Sequence, residues 1–130
     1  MRAIVALILI FASTSAMAAG SSAGYGGGGV PGPFVAIVQQ YNQSGEPFRI
    51  VGHCQSSCTI FLGIRNVCIE PGASLLFHAA NRPATTSIMR SSYNSALGAY
   101  LEEHHALDTP AFFTISGAEM IRKFGYPRCR

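Results

Sequence analysis

Apolar and polar positions alternate along this chain in a way that marks out a series of short elements. Phe34, Ile37, Val38 and Tyr41 recur at i, i+3, i+4 and i+7, an amphipathic helix that ends near Ser44-Gly45. Phe48, Ile50 and Val51 then form a short strand that stops at Gly52, and a new apolar run begins after Ser56 and Ser57. That run is apolar at most positions to about Arg65, which predicts a buried helix. Val67–Ile69 reads as a strand, Pro71-Gly72 as a turn, and Ser74 to His78 as a third strand. From Thr86 to about Leu107, Met89, Tyr93, Leu97, Tyr100 and Leu101 predict one long helix. A last helix runs from Ser116 to Phe124, with Ser116 and Glu119 as a capping box and Gly125 as its stop. The order α-β-α-β-β-α-α predicts an α/β layer structure with short strands, and no internal repeat is visible.

The N-terminal residues set the compartment. Arg2 is a positive n-region, Ala3 to Ala12 an apolar h-region, and Ala16-Met17-Ala18 a small-x-small cleavage site, so residues 1–18 read as a secretory signal peptide. The mature chain is expected to begin near Ala19 and to be periplasmic or secreted, touching a membrane only through the uncleaved leader. Residues 19–32 are glycine-rich, and composition alone reads them as a flexible linker before one domain over 33–130.

Export gives the cysteines a role. Cys54, Cys58, Cys68 and Cys129 are an even set in an oxidising compartment, so disulfides are expected, and three pairings are open. Cys54 and Cys58 flank the two serines and would lock the turn if bridged; a Cys68–Cys129 bridge would instead tie down the tail. The net charge of +3 has no basic stripe interleaved with aromatics, which argues against nucleic-acid binding. His53 with Cys54 and Cys58 lacks the paired spacing of structural zinc, and Glu102 with His105 supplies two ligands on one helix face, too few for a site. No metal or cofactor is expected.

The chemistry concentrates between Gly52 and His78. Strand, tight turn and helix place Ser56, or Ser57 if the turn ends one residue later, among the unpaired N–H groups and positive dipole of a helix start. A serine there with a histidine on a neighbouring strand supplies nucleophile and general base for acyl transfer. The plainer reading makes Ser56 an N-cap and His78 an ordinary strand-end histidine.

Gly52-x-x-x-Ser56 opening a helix, followed by a strand from Pro71 to His78, resembles the Clp protease proteolytic subunit and its exported relatives in the ClpP/crotonase superfamily. Cysteines such as Cys54 and Cys58 around the serine, and a following threonine such as Thr59, fit the exported relatives. The resemblance covers about Gly26 to His78 and, loosely, the final helix. It implies a small ClpP/crotonase-like α/β fold, shortened on its N-terminal side because the leader runs almost directly into glycines. It also implies a Gly-Gly turn at Gly28-Gly29 that, with Ser57, would supply oxyanion donors. The family's acid belongs just before the last helix, where this chain has Phe112-Phe113; Asp108 is the nearest carboxylate and the candidate third member, with Glu102 and Glu103 further off.

The function implied is an exported serine hydrolase acting on peptides or proteins, with Ser56 as nucleophile and His78 as base. The alternative is a catalytically inactive, disulfide-stapled module that binds a partner. Either version leaves a sheet edge that fits a homo-oligomer. An ATP-driven unfolding partner is not expected, since ATP would lie across the membrane.

Overall fold

Gly52 ends the Phe48 strand because its φ of +58° turns the backbone where a side chain would be strained. The chain there leaves one sheet and enters another. The computed structural model describes Ile10 and residues 20–130; the leader read at 1–18 otherwise lies outside the described residues. In the first sheet β1 (Gly20–Ser21), β2 (Phe48–Ile50) and β4 (Val67–Ile69) run parallel in the order β1-β2-β4. In the second, β3 (His53–Gln55), β5 (Ser74–Phe77) and β6 (Phe113–Ser116) stand in the order β3-β5-β6, with β3 parallel and β6 antiparallel to β5.

The chain passes from the first sheet to the second twice, after β2 and after β4, and the two passages are tied together. Glu70 N–H donates to the Ile50 carbonyl at 3.0 Å and Ser74 N–H to the Gly52 carbonyl at 2.9 Å. This tie sets the register of β3 on β5, pairing Gln55 with Leu76. Because the two strands are parallel, the residues that leave them, Ser56 and His78, emerge at the same end of the sheet.

Helix α1 (Pro31–Ser44) ends at the left-handed Gly45, as its sequence predicts. The segment Ser56–Gly63 is helical but coils as a 3₁₀ helix rather than an α-helix, and Ser57 to Leu62 are all buried. α1 and α2 (Pro83–Ser91) both pack on it, and a mostly apolar segment closed in by neighbours takes its pitch from them rather than from amphipathic periodicity. Phe48, Phe61, Phe77, Ile50, Ile69, Leu75 and Ile115 fill the space between the sheets and helices.

The predicted long helix is two helices, α2 and α3 (Ser95–Glu103). Asn94 makes the break: its side chain accepts a hydrogen bond from Leu97 N–H at 2.9 Å and starts the second helix as an N-cap. Its Nδ2 also donates to the Phe124 carbonyl at 2.7 Å, fastening α3 to the end of α4 (Gly117–Phe124). Asn94→Ala removes a cap and a tertiary hydrogen bond together, for an expected loss of about 2 kcal/mol in denaturant unfolding. A loss below a few tenths of that would mean the break is made elsewhere. Ser116 caps α4 by accepting from Glu119 N–H at 3.1 Å, and Gly125 closes it in the left-handed conformation.

The glycine-rich segment is not a flexible linker. Gly20–Ser21 pairs with β2, so a strand, though a very short one, precedes the glycine turn that the sequence leaves without one. Buried Ser22 donates from its hydroxyl to the Val51 carbonyl at 3.2 Å and accepts from Val51 N–H at 2.9 Å. The Tyr25 ring meets Phe34 and Phe61 edge-on, at 6.0 and 5.6 Å between centroids. One serine and one tyrosine thus dock a stretch whose composition alone would leave it loose.

Disulfides join Cys54 to Cys58 and Cys68 to Cys129, with Cα atoms 5.2 and 4.8 Å apart. They fit an oxidising, extracytoplasmic environment. No described helix is long and apolar enough to cross a membrane.

Candidate active site

Ser56 begins the 3₁₀ helix directly after β3, in a left-handed conformation (φ +54°) rare for a residue with a side chain. Such a residue carries about 1–3 kcal/mol of strain that its surroundings must hold. The Cys54–Cys58 bridge closes around it, and Gln55 is pinned on the glycine segment, its N–H to the Gly26 carbonyl at 3.0 Å and its Nε2 to that of Gly27 at 3.1 Å. The hydroxyl does not cap its helix. Its oxygen lies 2.7 Å from His78 Nε2.

The proton positions of His78 follow from its partners. Nδ1 lies 3.2 Å from the Pro110 carbonyl oxygen, which can only accept, so Nδ1 carries the hydrogen. In the neutral ring Nε2 is then the acceptor and Ser56 the donor. The Phe112 ring lies against the imidazole, 4.6 Å between centroids and tilted by 31°.

Asp108 does not take the place of the third member. Its carboxylate meets His105 Nδ1 at 3.0 Å, and both side chains are largely exposed. The cause is β6: Phe113 pairs with Phe77, and Ala79 N–H donates to the Thr109 carbonyl at 2.8 Å. The chain returning between them presents main chain, not a side chain, to Nδ1. Glu102 is likewise engaged elsewhere, with Arg90, and Glu103 is exposed at the end of α3. No side-chain pattern could have pointed to Pro110, because its contribution is a backbone carbonyl.

Gly28 and Gly29 lie against the start of the 3₁₀ helix, both with positive φ, +72° and +140°. A Cβ on Gly28 would stand 2.8 Å from the Gln55 carbonyl oxygen and 3.4 Å from Ser57 N, so only glycine allows this approach. Ser57 is fully buried and its hydroxyl donates to the Gly29 carbonyl at 2.5 Å, which occupies it structurally and removes it as the runner-up nucleophile. The N–H groups of Gly29 and Ser57 have no hydrogen-bond partner among the described residues. His53, beside the elbow, is exposed and pairs with the Gln55 side chain at 2.7 Å.

A groove of about 660 Å³ runs over Ser56 and His78. Its walls are mainly apolar, with Val30, Pro31, Ala84, Ile88 and Phe112 among the lining residues. Val30 and Phe112 are 75% and 46% exposed, so both present apolar surface at the groove. The arrangement can transfer a proton from Ser56 to His78 next to a surface that accepts an apolar group.

No protein-family model matches the chain, and no curated protein matches it in sequence.

Proposed function

We propose that this protein is an exported serine hydrolase, most simply a ClpP-like peptidase, whose nucleophile is Ser56 and whose general base is His78. The observation that carries the proposal is the 2.7 Å contact between Ser56 Oγ and His78 Nε2, made by a strained, non-capping serine at the floor of an open groove. Two parallel strands that deliver the pair to one end of a small α/β fold support the likeness to the ClpP/crotonase superfamily.

In the reaction, Ser56 Oγ attacks the substrate carbonyl carbon as its proton passes to His78 Nε2. The negative charge on the former carbonyl oxygen is met by the Ser57 and Gly29 N–H groups; Gly28, the other expected donor, gives its N–H to the Tyr25 carbonyl at 3.1 Å and only shapes the turn. His78 returns the proton from Nε2 to the leaving nitrogen or oxygen, the C–N or C–O bond breaks, and the acyl group stays on Ser56. Water, deprotonated by His78 Nε2, then attacks the ester carbon; the bond from that carbon to Ser56 Oγ breaks, His78 returns the proton to Oγ, and the acid leaves. Pro110 holds Nδ1–H throughout. A neutral carbonyl keeps the correct tautomer, the main fault when an orienting aspartate is lost, but lends no negative charge to the imidazolium. Turnover slower than that of a full triad follows.

The groove walls favour a substrate with an apolar side chain or acyl chain next to the scissile bond. A fluorophosphonate with a decyl chain should label the oxidised protein on Ser56, located by mass spectrometry of the modified peptide. It should react about tenfold faster than a probe with a short polar chain, the equivalent of burying roughly two methylenes. Absence of label on folded protein would overturn the hydrolase reading and leave a binding module.

A further inference from the structure

Behind the elbow, on the side away from the groove, two polar side chains are buried together. Thr59 is fully buried and Tyr93 nearly so, and their hydroxyl oxygens are 2.6 Å apart. Thr59 Oγ1 also lies 2.7 Å from the Ser56 carbonyl oxygen. A carbonyl only accepts, so the single Thr59 hydrogen goes to Ser56 O and Tyr93 must donate to Thr59. The chain of donors runs Tyr93 O–H to Thr59 O–H to Ser56 C=O. Burial holds the Tyr93 phenol far above its ordinary pKa, so it remains a donor at any working pH.

The end of that chain matters because of what shares the peptide plane. Ser56 C=O and Ser57 N–H belong to one trans peptide, and in a trans peptide the two bonds point in opposite directions. A carbonyl held inward by Thr59 sends the Ser57 N–H outward, on the Ser56 side of the groove. The same bonds polarise the peptide and strengthen its N–H as a donor. Helical threonines often bond back to a carbonyl in the preceding turn; a buried tyrosine that fixes the direction of that bond is an addition.

We infer that Thr59 and Tyr93 are positioning residues that aim the Ser57 N–H at the developing oxyanion. The inference rests on the hydrolase reading above. The test compares Thr59→Val, Thr59→Ser and Tyr93→Phe with the wild-type chain, all oxidised. Removing one oxyanion donor outright slows a reaction about 10²- to 10³-fold, so misaiming it should lower kcat about tenfold or more in Thr59→Val, with KM nearly unchanged. Tyr93→Phe should lose about threefold, and Thr59→Ser should keep most of the wild-type rate because it keeps the hydroxyl. The Ser57 amide nitrogen resonance should move in Thr59→Val and Tyr93→Phe while those of Phe61 and Leu62 stay in place, a readout independent of turnover. Wild-type rates in both folded variants, or a loss that Thr59→Ser does not restore, would overturn the assignment. A wild-type protein that fails to react with the fluorophosphonate would fail the hydrolase reading itself, a result distinct from variants that match an active parent.

Discussion

Ser56→Ala and His78→Ala should each abolish fluorophosphonate labelling and lower any hydrolytic rate by roughly four to six orders of magnitude. The two losses should not add, because nucleophile and base act as one unit through their 2.7 Å contact. Asp108→Ala should stay within about twofold of the parent. Its carboxylate serves the exposed His105, and exposed ion pairs contribute little to stability or to a site they do not touch. The pattern of two silent variants and one active one separates a Ser–His pair held by the Pro110 carbonyl from a triad completed by a carboxylate. Strong loss in Asp108→Ala would mean that the loop from His105 to Phe112 rearranges in solution to bring the acid to Nδ1. Ser56→Ala should still fold, since alanine loses just the hydroxyl's contacts to His78 Nε2 and, at 4.0 Å, to Met89 Sδ.

The larger effect on stability should come from the disulfide remote from the site. Cys68 and Cys129 stand 61 positions apart, Cys54 and Cys58 only 4. Closing a loop of the first size removes about 4 kcal/mol of unfolded-chain entropy and of the second about 2 kcal/mol. Cys68→Ser/Cys129→Ser should therefore lower the thermal midpoint by more than about 10 °C. The loss includes the tail's place beside β4, where Cys129 N–H donates to the Ile69 carbonyl at 3.1 Å and Ile69 N–H to that of Pro127 at 2.8 Å. The activity of the folded fraction should survive, because nothing in that tail reaches the groove. Cys54→Ser/Cys58→Ser should do the reverse, with a smaller fall in midpoint and a large fall in labelling rate, since its bridge closes on Ser56 itself. Equal falls in stability from the two pairs would sink the loop-entropy account.

Much of this was legible along the chain because it depends on local patterns. Gly45 and Gly125 end their helices where an αL residue was needed, Ser116 caps α4, and Val67–Ile69 is a strand as its residues predict. Ser56 and His78 could be paired from sequence because a Gly52-x-x-x-Ser56 elbow opening a helix and a strand ending at His78 resemble a known arrangement; the parallel β3 and β5 bring the two to one end of the sheet. The errors have equally particular causes. Asn94 and its bonds to Leu97 and Phe124 interrupt a helical period that runs on through it, and β3 was read as part of a turn because His53–Gln55 is too short and too polar to show alternation. Ser22 and Tyr25 convert a glycine run into docked structure through contacts with residues far along the chain.

Apart from β1, β3 and β6, which it missed, the sequence by itself determined the order of the remaining elements, most of their ends, and two candidate residues for the proposed chemistry. Each of these follows from backbone preference and side-chain period within one segment. The tertiary structure alone decided which cysteines pair, that the Ser56 hydroxyl turns to His78 rather than to its own helix, and that Asp108 serves His105. It also decided that a backbone carbonyl orients the imidazole. A carbonyl has the same chemistry at every position, so only the path of the chain can say which one arrives beneath His78.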